Sequence, residues 1–300
     1  MPLFFRSHDP IKLLPATVDV PPLPGVPAVD ASLPPVGPLL AADVQLPPGR
    51  PAGCSATNRS PSLWLTDDVV PGAPTVWRRL VDQYPGTGLW PLLLTPLDGD
   101  GGRPWDSGEL DPVAVTAVED VDVAELLVQG WAGSVVPIGG PTVHPSIERA
   151  LTPFGAPFPG LSPALPPTAG PTVVSAAALA GASARFGLVS CLRPADAVAL
   201  IGWQGAINRL QSAEVSAVLR SWEDRFGVVL VGLGFATLTV LVPHPPQDEA
   251  HALRVAAEIA AFCPDALWQG SDGAWLGSDD TIAGLSRLLR TRSVWRLWFD

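Results

Sequence analysis

Residues 212–242 read SAEVSAVLRSWEDRFGVVLVGLGFATLTVLV, and the change of period inside this stretch decides the fold class. Up to Phe226 the apolar residues Val215, Val218, Leu219, Trp222 and Phe226 recur at i, i+3, i+4, i+7 and i+11, one stripe of an amphipathic helix. Ser212 is the expected N-cap and Gly227 the C-terminal stop. Beyond Gly227 the helical period is lost. Two apolar runs flank a short glycine-containing turn, which predicts a β-hairpin. At 15 residues, with glycines inside it, the run 228–242 is shorter than the roughly 20 needed to cross a bilayer, so no membrane role is expected.

On either side of this unit the pattern continues. RFGLVSCL (185–192) reads as a strand and PADAVALIGW (194–203) as a short helix opened by proline. A helix is expected over about 248–262 and another over about 279–290, before the aromatic strand SVWRLWF. This order predicts a compact α+β sandwich over 172–300, with ferredoxin-like as the nearest simple topology.

A second mixed α/β unit is expected over 63–133. SLWLT is a strand there, and APTVWRRLVDQYPG is an amphipathic helix through Val76, Trp77, Leu80, Val81 and Tyr84 that stops at Pro85-Gly86. GLWPLLLT is a strand in which Pro91 argues for an edge or a bulge. VDVAELLVQGW opens with Asp122 and Glu125 spaced as a capping box. Residues 1–62 form a proline-rich arm with a strand at LLAADVQL, so regular structure is expected to begin near Leu63. Residues 134–171 hold ten prolines and five glycines, a linker that Phe154, Phe158 and Leu161 would lay against a surface.

The charge balance is 29 acids against 18 bases, a formal −11. That field repels phosphate backbones and disfavours nucleic acid as a partner. Cys54, Cys191 and Cys263 are odd in number and far apart, so neither a disulfide framework nor a zinc site is expected. No cofactor is called for. The opening MPLFFRSHDPIKLLP is broken by proline and unlike a signal peptide, and a cytoplasmic location is expected.

Five blocks in order, RPADAVALIGW, SAVLRSWEDRFG, GFATLTV, AEIAAFCPD and the tryptophan-rich ending at Asp300, make residues 189–300 resemble the bacterial domain of unknown function 4253 family. The resemblance implies a domain and no particular reaction. Family members often carry Glu-His before the Ala-Phe-Cys-Pro-Asp block and end in Trp-Trp-Asp. Here those positions read Glu258-Ile259 and Trp298-Phe299-Asp300.

Candidate catalytic residues are Glu258, His251, Cys263 and Asp265. On a helix, His251, Arg254 and Glu258 share one stripe, so an acid, a base and an imidazole could meet; the plain alternative is a solvated face with an Arg254–Glu258 pair. Cys263 lies at a helix C-terminus, where the dipole disfavours a thiolate, and a buried inert cysteine under Trp268 is expected. Candidate binding residues are Trp203, Arg254, Glu258, Trp268 and Gln269, with Trp203 and Trp268 expected at the surface. Asp98, Asp100 and Glu109 imitate a calcium loop, but its sixth position is Arg103 where glycine is required, so no metal is expected. GLGF (232–235) is read as a hairpin turn in preference to a carboxylate-binding turn. The expected function is an intracellular, non-enzymatic protein that binds another, basic protein in an accessory or toxin-neutralising role. The alternative is an enzyme using Glu258 as acid/base with His251 and Cys263.

Overall fold

The computed structural model describes residues 17–20, 25–27, 31–41, 44–53, 60–97, 102–135, 145–165, 172–175, 178–179, 184–268 and 280–300. Its strands are β1 (Thr17–Val20), β2 (Gly37–Ala41), β3 (Val44–Ala52), β4 (Leu63–Thr66), β5 (Leu89–Leu94), β6 (Thr172–Ser175), β7 (Arg185–Ser190), β8 (Val229–Leu233), β9 (Thr237–Leu241) and β10 (Val294–Trp298). The helices are α1 (Ala73–Thr87), α2 (Val115–Glu119), α3 (Val123–Val135), α4 (Pro145–Ala150), α5 (Ala197–Ile201), α6 (Ser212–Phe226), α7 (Glu249–Phe262), α8 (Asp265–Trp268) and α9 (Ile282–Leu289). The chain is α+β, as its changing periods predict.

The ferredoxin-like order is not what the strands adopt. One sheet runs β10-β9-β8-β5-β7-β4-β3-β2, so a strand from the first half of the chain, β5, separates β7 from β8. β1 and β6 form a separate antiparallel pair. In the large sheet every pairing is antiparallel except β5 with β8. The reason is the burial of β5, in which every residue after Leu89 is enclosed. A strand apolar on both faces is stable only with both faces covered and both edges paired.

Pro91 thus occupies a central strand, not an edge. Its missing N–H does little harm because the parallel ladder to β8 begins only at Leu93, which pairs with Gly232. Two indoles serve the carbonyls around the gap: Trp90 Nε1 donates to Leu230 O at 3.0 Å, and Trp77 Nε1 donates to Pro91 O at 2.9 Å. At Gly232 a side chain would stand 2.3 Å from Leu93 O, so this close pairing requires glycine.

Regular structure also begins earlier than Leu63. β2 and β3 pair with each other, and β3 pairs with β4, although Pro47, Pro48 and Pro51 lie in β3. Proline forbids a helix there, yet its fixed φ is compatible with an extended strand. The expected single strand at LLAADVQL is therefore parts of two.

The helices follow their caps closely. Asp122 Oδ1 accepts from the backbone N–H of Ala124 and Glu125, opening α3. α1 runs through Pro85 to Thr87 before Gly88 turns it. α6 is capped one residue earlier than expected, by Gln211 in a reciprocal box with Glu214, and Gly227 ends it at φ 64°. α3 and α9 pack along α7, α1 lies on β5, and Trp90 meets Trp77 and Tyr84 edge-on. One contiguous core takes residues from both halves.

A chain of residues 172–300 alone would expose the β5-facing edges of β7 and β8. We expect it to aggregate or to lack dispersed amide resonances, whereas the full chain elutes as a folded species; size-exclusion chromatography with proton–nitrogen NMR checks this.

Candidate functional site

The helix stripe singled out in the sequence does not face solvent. Glu258 on α7 is wholly buried, and its partner is Arg225 of α6 instead of Arg254. Arg225 reaches Glu258 Oε1 at 2.8 Å and Oε2 at 2.6 Å, a two-pronged contact, while Trp222 Nε1 donates to Oε2 at 3.1 Å. The Ser162 N–H donates to Oε1 at 2.5 Å, and Ser162 O accepts from Arg225 at 2.8 Å. Arg254 is exposed and donates to Pro159 O at 3.1 Å. Glu258 and Arg254 are thus next to each other on the helix but hold different points of the segment 151–165. That segment lies on the helices, with Phe158 against Trp131 and with Phe154 and Leu161 against the core.

His251 is half-buried, its ring edge-on to Phe226, and burial lowers its pKa. Nε2 has no hydrogen-bond partner among the described residues. Cys263 is fully buried, donates Sγ–H to Trp298 O at 3.0 Å, and has its pKa pushed far up by burial. Asp265 is buried too: it accepts from the Asp300 N–H at 3.2 Å and faces Arg209 at 3.8 Å. Cys263 and Asp265 therefore fasten the α7–α8 corner to the end of β10, whereas Glu258 fastens α7 to α6 and to Ser162.

Trp203, expected at the surface, is 1% exposed and donates to Gly234 O at 2.7 Å. Trp268 is half-buried, and Gln269 lies outside the described residues, as do Asp98 and Asp100. Gly234 belongs to the β8–β9 turn, its N–H bonded to Thr237 O. Among the described residues no group of His, Cys, Asp and Glu side chains could hold a metal, and no helix is long and apolar enough to cross a membrane.

Two clusters escaped the sequence reading. One is an ion-pair network at the end of β7: Glu223 of α6 accepts from the Ala195 N–H at 2.8 Å and from Arg193 at 2.9 Å, and Arg220 pairs with Asp196. Arg193 and Asp196 were visible only as polar positions beside a proline-opened helix. The other is a cleft of about 400 Å³ where β5 and β8 end, closed by the β8–β9 turn, residues 204–208 and the end of β10. Arg103 projects there, its guanidinium 4.7 Å from the centre of the Phe235 ring, and its Nε donates to Glu109 at 2.7 and 2.9 Å. Glu109, one of the residues in the calcium-like pattern, is the partner of this arginine and of Ser107 Oγ, and the Arg103 hydrogen bond holds its pKa down. Gln204, Asn208, Trp298 and Asp300 complete the polar and aromatic lining. Among the described residues its lining contains no histidine, cysteine, serine or lysine.

Residues 185–300 match the family model described as Domain of unknown function (DUF4253), in agreement with the resemblance carried by the five sequence blocks. Neither a curated protein nor a solved structure matches the chain. The matched region begins at β7 and therefore omits β5, the strand between β7 and β8.

Glu258→Ala would leave Arg225 largely enclosed without its carboxylate, so a loss of about 3 kcal/mol in urea unfolding is expected. Glu258→Gln should lose less, because the amide still accepts a hydrogen bond. Burial raises the Glu223 pKa from an ordinary 4.5 to about 7. A raised carboxyl pKa stabilises the fold fully below the unfolded value and loses that contribution as pH rises through the folded one. The stability difference between wild type and Glu223→Gln should therefore shift against the wild type from about pH 4.5 to about pH 7. Paired urea titrations across that range measure it.

Proposed function

We propose that this chain is a non-enzymatic binding protein, an accessory factor that holds a partner protein of basic surface, with toxin neutralisation as the kind of task it serves. One observation carries the reading. Between Arg103 and Arg149 the sequence places eight acids and no lysine or arginine. Asp111, Glu119, Asp120, Asp122 and Glu125 of that run are exposed, on α2, the N-terminal turn of α3 and the segments before them. Val128 on α3 adds a side chain that is 44% exposed. A field of one sign steers an oppositely charged partner and raises its association rate.

The enclosure of Cys263, Glu258 and Asp265 supports the same reading. Each has a partner within the fold, and neither Glu258 nor Cys263 presents a group to substrate. An acid/base enzyme built on them would first have to open the helix pair.

The test compares wild type with a variant neutralised at Glu119→Gln, Asp120→Asn, Asp122→Asn and Glu125→Gln, both immobilised in native lysate with bound proteins quantified. A basic protein near one-to-one stoichiometry on wild type is expected. It should be depleted about tenfold by the variant and by about 0.5 M salt. Capture of nothing, or equal capture by the variant, would overturn the reading.

A further inference from the structure

The two outer strands of the large sheet are guarded differently. β2 carries Pro38 and a shift of register beside it, devices that keep a further strand from pairing. β10 has neither: Val294–Trp298 contains no proline and pairs with β9 in one unbroken register.

That register fixes which backbone groups of β10 point outward. The Phe299 N–H donates to Ala236 O and the Val242 N–H to Ser293 O, so the odd-numbered residues from 293 to 299 face β9. In an antiparallel ladder the residues between them turn the other way. Contacts beyond the sheet agree: Trp298 O accepts from the Cys263 thiol, and the Asp300 N–H donates to Asp265. The α7–α8 corner thus covers the last part of this edge. Ahead of it, the N–H and C=O of Val294 and Arg296 and the N–H of Trp298 have no partner among the described residues. These three residues are half-buried, so solvent reaches them.

The charge beside these groups selects what can pair with them. Between Asp280 and Asp300 the chain places Arg287, Arg290, Arg292 and Arg296 and no acid, although its net charge is −11. Arg287 and Arg290 are exposed, on the last turn of α9 and at its C-cap, just before β10. Arg296 stands in the middle of the open stretch. Its guanidinium reaches Ala178 O at 3.5 Å, the outer limit of a hydrogen bond, and no carboxylate pairs with it among the described residues. Burial lowers its pKa, a cost to the charged form that a carboxylate brought alongside would offset. A second copy of β10 would bring the same arginines, and like charges facing each other across a ladder destabilise it.

We propose that the open edge of β10, at Val294 and Arg296, takes an extended acidic segment of a partner protein as a further strand of the sheet, with a carboxylate of that segment on Arg296. A residue directly opposite Arg296 in a paired strand projects on the same face of the sheet, within reach of the guanidinium. Main-chain hydrogen bonds supply the affinity of such strand addition, and the side chains supply its selectivity. The inference does not depend on the basic-partner reading, which rests on the exposed acids of 111–125.

The experiment titrates the full chain into fluorescein-labelled Thr-Val-Glu-Val-Glu-Val-Thr, read by fluorescence anisotropy, beside a control peptide with lysine in place of both glutamates. The glutamate peptide should bind saturably and the lysine peptide should not. Arg296→Gln should weaken binding about tenfold, the effect of a lost charge-assisted hydrogen bond. Val294→Pro removes an outward N–H without touching the ladder to β9, so it should abolish binding at a melting temperature close to that of the wild type. Hydrogen exchange at the Val294 and Arg296 amides should be fast in the free chain and slow with the glutamate peptide bound. No saturable binding of the glutamate peptide, equal binding of the lysine peptide, or binding unchanged in Arg296→Gln would overturn the proposal. Slow exchange in the free chain would overturn it too, its dependence on protein concentration assigning the edge to a second copy and its independence to a segment of the same chain.

Discussion

The constraint on which this structure depends is a shortage of backbone donors. Thirty-six prolines remove an N–H each while leaving every carbonyl in place. Buried carbonyls need partners, and strand ladders cannot supply them where the facing residue is proline. Side chains do so instead. Among the described residues eight tryptophans are fully buried, and each of their indole N–H groups is spent on an acceptor. Seven of those acceptors are backbone carbonyls, including those of Pro35 and Pro91. Arginines do the same at Ser162, Pro159, Thr66 and Arg220.

This explains how the irregular segments become part of the fold. Trp131 holds Ala156 O, Arg254 holds Pro159 O, and Arg225 with Glu258 holds both polar groups of the Ser162 backbone. A stretch with almost no regular structure is fixed at three points by side chains of α3, α6 and α7. It also explains why Glu258 is buried: a carboxylate that takes an arginine, an indole and a backbone N–H has its lone pairs occupied, and that satisfaction is what makes an enclosed charge tolerable. The same logic produces the cleft. Trp203 and Phe299 pack edge-on beneath it, and Trp203 secures Gly234 O, so the β8–β9 turn is presented on a rigid base.

The helices were legible because each carries its own boundary chemistry. Asp122, Gly227 and the apolar stripe of α6 act within a few residues and need no distant partner. The α6–β8–β9 unit was readable for that reason, as were β4, β7 and β10. Pro91 misled because the local rule for proline in a strand omits two tryptophans that supply donors from elsewhere: Trp77, 14 residues away, and Trp90, which reaches across 140 residues to Leu230. Arg254 and Glu258 misled similarly, since spacing on a helix cannot reveal that Arg225, 33 residues earlier, takes the carboxylate.

By itself, then, the sequence determined the class of the fold, the identity and extent of most helices, the hairpin after α6, and the resemblance of the C-terminal region to a domain family of unknown function. Those features rest on contacts between near neighbours or on the order of residues. Only the tertiary structure decided that β5 lies between β7 and β8, that Glu258 is a buried anchor, and that Arg103, Glu109, Gln204, Phe235 and Trp298 line one cleft. Each of these joins residues far apart in the chain. Burial and pairing at that distance follow from how the apolar faces cover one another, a property of the packed whole that no local period encodes.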